Sequence, residues 1–146
     1  MGVEGNIRVV RATDKAFNNR DWNAFMRLHA ESVVVYSAFS PEPTKGRQAH
    51  RKEVEGMFAS FPDLRVKDER TFGQGDWVCS EYSVTGTHKG PLTGPGGQAI
   101  PPTGKSFRLN LCAVIKVEDG EVTEERTYLD MFSLMAQLGL IPGGSQ

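Results

Sequence analysis

The chain has 146 residues, of which 24% are charged, and this length predicts a single domain, 1–146, that can bury a core and an internal pocket. Its 17 basic and 18 acidic residues nearly balance, which argues against nucleic-acid binding through a basic surface. The first residues lack the pattern of a secretion signal and no apolar run approaches the length of a membrane span, so we expect a cytoplasmic protein that contacts no membrane.

The first part of the chain is predicted to be mainly helical. Apolar residues at helical spacing from Ile7 to Phe17 predict a first helix that ends at a pair of asparagines. Asp21 is placed to cap a second helix over 22–31. The residues that share the apolar face of this second helix are Trp22, Phe25, Met26 and His29. A β-branched run, "SVVVYSA", predicts a strand, and a third helix follows over 47–61.

The rest of the chain is typical of an antiparallel sheet followed by one short helix. Alternating segments predict long strands, and Asp119-Gly120 is a strong signal for a hairpin turn between the last two. A Gly/Pro-rich loop, 89–104, is expected to border a pocket mouth or a dimer contact. A last helix is predicted over Met131 to Leu138. This order predicts an α+β fold, in which a strongly curved, mainly antiparallel sheet wraps around helices and encloses an interior.

Three common kinds of catalytic site are excluded by spacing. The segment "TGKS" at 103–106 lacks the earlier glycine of a phosphate-binding loop, and a strand rather than a helix follows it. His29, His50 and His88 are too scattered to propose a zinc site, and His50 is expected to be solvated on a basic face. The two cysteines lie in apolar segments, as small core residues do in a reducing compartment. We therefore expect no metal ligands and no covalent nucleophile.

The segment "ERTYLD" places three chemically capable groups on one face of the last strand. With a period of two, Arg126, Tyr128 and Asp130 point the same way, and if that face lines the inside of the curved sheet the three groups enter one pocket. Asp130 has two open interpretations that do not exclude each other: a proton-transferring carboxylate in a pocket, or the N-cap of the last helix. Arg126 is equally compatible with an ion pair, and Tyr128 with core packing.

From about Ile7 to Pro142, the order and spacing of several segments resemble the SnoaL-like polyketide cyclases of the NTF2-like superfamily. The segments are "FNNRDWNAFMRLHAESVVVY", "FASFPDL", "GTHKG", "PPTGK", "VEDGEVTEERTYLD" and "LMAQLGL". The resemblance implies an NTF2-like cone with a deep pocket, no cofactor and a homodimer, and apolar residues on both faces of "LNLCAVIKV" also favour the dimer. In such cyclases an Asp at the end of the last long strand is the general acid/base of an intramolecular aldol closure, and Asp130 matches it here.

The resemblance leads to a hypothesis of acid/base chemistry on an apolar carbonyl compound. A carboxylate desolvated in an apolar pocket can remove the acidic proton between two carbonyls, and folding the substrate supplies proximity. The strand before the last departs from the better-known cyclases because its centre is apolar, which leaves Asn110 and Lys116 as its polar candidates. The group that stabilises the oxyanion is open among His88, Arg126 and Tyr128.

Further candidates are expected in the pocket wall. His29 and Trp22 on the second helix and Tyr36 at the end of the first strand are predicted to contact substrate, and His88 alternatively holds the Gly/Pro-rich loop as a structural histidine. Two other functions suit the same scaffold: a ketosteroid-isomerase-like double-bond isomerase, and a non-catalytic ligand-binding or dimerising module. An apolar cavity closing over Asp130 would favour an enzyme, whereas an exposed Asp130 would favour the module.

Overall fold

The computed structural model describes residues 2–94 and 97–141, and over these it contains four helices and eight strands. The helices are α1 (Val3–Asn19), α2 (Trp22–Leu28), α3 (Arg47–Ser60) and α4 (Met131–Gln137). The strands are β1 (His29–Tyr36), β2 (Thr44–Lys45), β3 (Arg65–Gln74), β4 (Trp77–Thr87), β5 (Leu92–Thr93), β6 (Ala99–Ile100), β7 (Ser106–Glu118) and β8 (Glu121–Leu129). None of the helices described is long and apolar enough to cross a lipid bilayer.

Six of the strands form one mixed sheet in the order β2-β1-β8-β7-β4-β3. Neighbours pair antiparallel except β1 and β8, which run parallel. The hairpin between β7 and β8 turns at Asp119 and Gly120, whose φ angles of 51° and 79° suit a two-residue turn of the primed type. The sheet curls without closing, since its edge strands β2 and β3 do not pair with each other.

The core lies between the inner face of this sheet and the helices. Strict alternation along β7 turns one set of apolar side chains inward, and these are Phe107, Leu109, Ala113, Ile115 and Val117. Helix α1 packs against β3, β4 and β7, and its Val10 is fully buried. A second, smaller cluster of Ala16, Phe25 and Val54 joins the three N-terminal helices. The helices thus form one wall of the interior and the sheet forms the other.

The predicted α+β architecture, a curved and mainly antiparallel sheet with N-terminal helices and a short C-terminal helix, is confirmed. The Asp21 side chain accepts a hydrogen bond from the Ala24 amide at 3.1 Å, as an N-cap should. One predicted boundary is wrong, because the second helix ends at Leu28 and His29 begins β1 instead of continuing the helical face. Strand β1, which contains the β-branched run, begins three residues before that run, at His29. The His29 amide ends the helix by donating a hydrogen bond to the Met26 carbonyl. Pro142, which follows the last helix in the sequence, lies outside the described residues.

The Gly/Pro-rich segment docks on the C-terminal end of α3. The Lys89 and Gly90 amides donate to the Ser60 carbonyl at 3.0 and 3.1 Å, and the Ser60 hydroxyl donates to the Pro91 carbonyl at 2.7 Å. A Cβ at position 90 would collide with the Ala59 carbonyl, so this approach needs glycine. These bonds satisfy the carbonyl and the hydroxyl of Ser60 at the end of the helix.

Replacing Gly56 with alanine is expected to raise the free energy of unfolding by about 0.5–1 kcal/mol. Gly56 lies inside α3 on its exposed side, and a Cβ there would have no atom within 4 Å. The gain comes from the lower conformational entropy of the unfolded chain. Urea denaturation followed by circular dichroism measures it, and an unchanged or lower midpoint would contradict the prediction.

Candidate active site

An apolar cavity of about 170 Å³ lies between the inner face of the sheet and the N-terminal helices. Its apolar lining includes Phe17, Phe25, Met57, Leu109, Ile115 and Leu134. The ionisable side chains that line it are Asp14, His29, His50, Glu53, Tyr82 and Glu125. Phe39, which is 47% exposed, also lines the cavity, so the cavity reaches the surface at the loop between β1 and β2. Several titratable groups therefore meet in a largely apolar space, which is the usual setting of a small-molecule site.

A β-bulge decides which residues of β8 face this cavity. Lys116 pairs with Glu124 and Val117 pairs with Val122, so Thr123 is an extra residue on β8. The bulge reverses the alternation that a regular strand would have. Val122 is buried on the inner side, and beyond the bulge the inward residues are Glu125, Thr127 and Leu129. The prediction that the face of Arg126, Tyr128 and Asp130 points into the interior is therefore wrong.

Arg126 and Tyr128 instead line an outer groove with Tyr36, also on the outer side of the sheet. The Arg126 guanidinium lies 4.1 Å from the centre of the Tyr36 ring, and its Nε donates to Glu124 Oε2 at 2.7 Å. Tyr128 is 57% exposed. The ion-pair interpretation of Arg126 is confirmed, whereas core packing of Tyr128 is wrong. These three residues do come together, but outside the cavity.

Asp130 is exposed and caps α4. Its Oδ1 accepts a hydrogen bond from the Ser133 amide at 3.0 Å, which confirms the capping interpretation. Asp130 does not belong to the cavity lining. The cavity closes over Asp14 and Glu125 instead. The existence of an apolar cavity favours an enzyme, whereas the exposure of Asp130 favours a binding module. The catalytic role of Asp130 stays a prediction, and the location of its side chain outside the cavity does not support it.

The other predicted site residues fall into two groups. His29 lines the cavity, as expected of a pocket wall. His88 is fully buried outside the lining, and its Nδ1 accepts a hydrogen bond from the Thr103 amide at 3.2 Å, which is the structural role of holding the Gly/Pro-rich segment. Trp22 packs edge-on against Phe25 behind the cavity wall, and Asn110 is exposed. The described residues of the Gly/Pro-rich segment do not line the cavity. Residues 95 and 96 of this segment lie outside the described residues. A dimer contact through the segment stays a prediction.

Asp14 is the carboxyl group that enters the cavity from α1. The Tyr82 hydroxyl on β4 donates to Asp14 Oδ1 at 2.8 Å, while Asp14 Oδ2 is buried without a hydrogen-bond partner. Burial raises the pKa of Asp14 to about 7, because desolvation disfavours the charged form more than the Tyr82 hydrogen bond favours it. Burial next to Asp14 also raises the pKa of Tyr82. Asp14 thus takes up and releases a proton near neutral pH.

A second group of ionisable side chains lies where β1, α3 and β8 meet. His29 Nδ1 donates to the Phe25 carbonyl at 2.7 Å, so its Nε2 carries the free lone pair. Burial lowers the pKa of His29 to about 4 and raises the pKa of Glu125. His50 is only 5% exposed, and its ring centroid lies 5.1 Å from that of His29. The expectations that the histidines are scattered and that His50 is solvated are therefore wrong for this pair.

Some of the cavity residues that were not predicted nevertheless have a recognisable signal in the sequence. Asp14 falls four residues after Val10 and three before Phe17, so it is an acid within the apolar stripe of α1. His50 falls four residues before Val54 on α3, but arginine and lysine on both sides suggest a solvated face. Glu125 could not be placed inward from the sequence, because no residue type marks the bulge at Thr123.

Solved structures with this fold cover almost the whole chain. A SnoaL-like protein from Jannaschia sp. CCS1 superposes with a TM-score of 0.84 at 22% identity, over 96% of this chain and 95% of that one. TsrD from Streptomyces laurentii superposes with a TM-score of 0.81 at 19% identity, over 97% of this chain and 99% of that one. These similarities establish the NTF2-like, SnoaL-type fold.

Sequence comparison adds the family. The chain is 27% identical to the nogalonic acid methyl ester cyclase of Streptomyces nogalater over 64% of this chain and 67% of the relative. It is 24% identical to the aklanonic acid methyl ester cyclase DauD of Streptomyces sp. strain C5 over 91% of this chain and 81% of the relative. The family described as SnoaL-like polyketide cyclase matches residues 7–138. With nearly its whole length matched, the chain belongs to the SnoaL-like polyketide cyclase family.

Proposed function

We propose that the protein is a cyclase-type enzyme that catalyses intramolecular aldol closure of a small apolar carbonyl compound, with Asp14 as the general acid/base. The observation that carries the proposal is the Asp14–Tyr82 pair, a buried carboxyl that titrates at about 7 in an apolar cavity. A general base is most effective when its pKa lies near the working pH. The relatives named as cyclases support the reaction class.

The chemistry that Asp14 can perform is a two-way proton transfer. Ionised Asp14 removes a proton from the carbon between two carbonyls, and the enolate attacks a ketone carbon in the same folded molecule. The protonated Asp14 then gives its proton to the new alkoxide, which restores the carboxylate. The unpartnered Oδ2 is the atom available for this transfer, since Oδ1 is occupied by the Tyr82 hydroxyl. The proton transfer itself needs no cofactor.

The size and lining of the cavity limit the substrate. At about 170 Å³ the cavity is close to an engineered apolar cavity of about 150 Å³ that binds benzene. Drug-sized ligands occupy pockets of roughly 300–1,000 Å³. The substrate class that fits is an apolar carbonyl compound with one or two rings, which enters past Phe39.

Proton exchange at carbon tests this function without knowledge of the natural substrate. A panel of enolisable aryl ketones and 1,3-dicarbonyl compounds is incubated in D₂O with EDTA-treated protein, and NMR follows deuterium uptake at the α-carbon. We expect exchange well above the buffer rate for compact, apolar members of the panel. Product analysis by mass and NMR then separates ring closure from a double-bond shift.

Exchange at the buffer rate for every compound, with binding still detectable by NMR line broadening, would overturn the enzyme proposal. It would favour the ligand-binding module instead. An Asp130→Asn variant that loses the exchange while Asp14→Asn keeps it would move the base to Asp130.

A further inference from the structure

Three potential metal ligands converge at one place in the cavity wall. One ligand atom from each of His29, His50 and Glu125 lies within 4.8 Å of the other two. They come from three different elements, namely the start of β1, α3 and the inward face of β8 beyond the bulge. Ligands bound at about 2.1 Å to one tetrahedral ion stand about 3.4 Å apart, so the widest of the three separations, at most 4.8 Å, has to shorten by about 1.4 Å or less.

His29 is held as metal-binding histidines usually are, and His50 has the carboxylate of Glu53 beside it. Such a ligand commonly donates its second ring N–H to a carbonyl or a carboxylate, which fixes the ring and its tautomer. His29 Nδ1 donates to the Phe25 carbonyl at 2.7 Å, which leaves Nε2 as the free donor atom. His50 Nδ1 lies 3.7 Å from Glu53 Oε1, and the Thr44 hydroxyl holds the other Glu53 oxygen at 2.7 Å.

Two buried polar atoms beside the three ligands face each other at a distance too long for a hydrogen bond. His50 is 95% buried, as its 5% exposure shows, yet its Nδ1 has no hydrogen-bond partner, and neither has Glu53 Oε1. Buried polar atoms are nearly always paired, because an unpaired one has lost its hydrogen bonds to water without replacing them. A small rotation of the His50 ring would pair these two atoms, which lie 3.7 Å apart, and would leave Nε2 as the ligand atom of His50.

We infer that His29, His50 and Glu125 form a binding site for one divalent transition-metal ion, with Glu53 as the outer partner of His50. Two imidazoles and a carboxylate suit zinc or iron(II) better than calcium or magnesium, which prefer all-oxygen ligands. Three protein ligands leave at least one coordination position open. Because all three line the cavity, that position is available to a carbonyl or enolate oxygen of a bound compound.

The site shares the cavity with the Asp14–Tyr82 pair on which the proposed function depends, but it uses other residues. Asp14 is not one of the converging ligands. Metal binding is measured without any substrate, and proton exchange is measured in EDTA-treated protein. Failure of either proposal is therefore distinguishable from failure of the other.

Titration of the metal-free full-length protein with Zn²⁺ and Co²⁺ tests the site. Calorimetry is expected to show one equivalent of Zn²⁺ bound, and the Co²⁺ adduct is expected to show visible d–d bands without a thiolate charge-transfer band. Glu125→Gln and His50→Asn are expected to weaken Zn²⁺ binding by about 100-fold or more, and Glu53→Gln by about 10-fold, as for outer-shell partners.

Two controls make the result decisive. Glu124→Gln removes the same charge one position away, where the carboxylate pairs with Arg126 outside the cavity, and it should bind Zn²⁺ like the wild type. A Cys79→Ser/Cys112→Ser variant removes the two thiols, whose sulfurs lie 3.6 Å apart, and it should also bind normally. Wild-type affinity in folded Glu125→Gln, binding lost only with the thiols, or no binding by the wild type would each overturn the site.

Discussion

Asp14→Asn is expected to lower the rate of catalysed α-proton exchange, and of any ring closure that depends on it, by about 10²–10⁴-fold. Asparagine keeps the shape of the side chain and can still accept the Tyr82 hydrogen bond through its amide oxygen. It cannot accept the substrate proton at neutral pH. The loss should therefore fall on the rate constant, with little change in the binding of an apolar ligand measured by NMR.

The pH dependence of the wild-type rate provides a second readout of the same group. Because Asp14 must be ionised to act as the base, kcat/KM should rise with pH through about 7 and then level off. Tyr82→Phe should move this midpoint upward, on the order of one pH unit, since the lost hydrogen bond stabilises the ionised carboxylate. A flat profile between pH 5 and 9 would exclude Asp14 as the base.

Asp130→Asn separates the two carboxylates that compete for this role. Asp130 is exposed and bonded to the Ser133 amide, so its replacement should mainly weaken the cap of α4, and asparagine is itself a good N-cap. The exchange rate should change by less than about threefold. A loss as large as that of Asp14→Asn would return the catalytic role to the end of the last strand.

The architecture was predictable because it depends on periodicity and turn chemistry, which local sequence carries. The alternation along "FRLNLCAVIKV" and the Asp119-Gly120 turn place β7 and β8 side by side without further information. The orientation of β8 was not predictable in the same way. It depends on one extra residue, Thr123, which can be recognised as extra only from its pairing with the partner strand β7.

That single residue accounts for most of the difference between the predicted and the observed site. Without the bulge, Arg126 and Tyr128 would face the interior; with it, Glu125 and Thr127 do. For the part of the site on α1, the helical periodicity of the sequence is more informative than the strand pattern of β8. An acid such as Asp14 on an apolar helical stripe is costly to bury, so its position there is itself a sign of function.

Burying Asp14 should also make the stability of the protein depend on pH. Folding raises the pKa of Asp14 from 3.8 to about 7, so between these values the native state holds a proton that the unfolded state releases. The free energy of unfolding should therefore fall as pH rises, by about 1.4 kcal/mol per unit for this group. The fall begins above pH 4 and ends above pH 7.

Asp14→Asn should remove this dependence, and the comparison with the wild type isolates it. The free energy of unfolding of the variant minus that of the wild type is expected to increase by roughly 3 kcal/mol between pH 4.5 and 8. Urea denaturation at several pH values measures this difference. Any constant cost of burying the Asn amide cancels in it, and so do the contributions of other groups whose pKa the substitution leaves unchanged.

A difference that stays constant with pH would mean that Asp14 has an ordinary pKa in the folded protein, and the proposed base would lose its physical basis. A rising difference would show that the wild type is less stable at neutral pH than at acidic pH because it keeps an ionisable group in an apolar cavity. The same desolvation that lowers stability brings the carboxylate to the pKa at which it transfers protons. Ionisation of Asp14 would then lower the free energy of unfolding and at the same time create the base, as expected of a functional residue and not of a structural one.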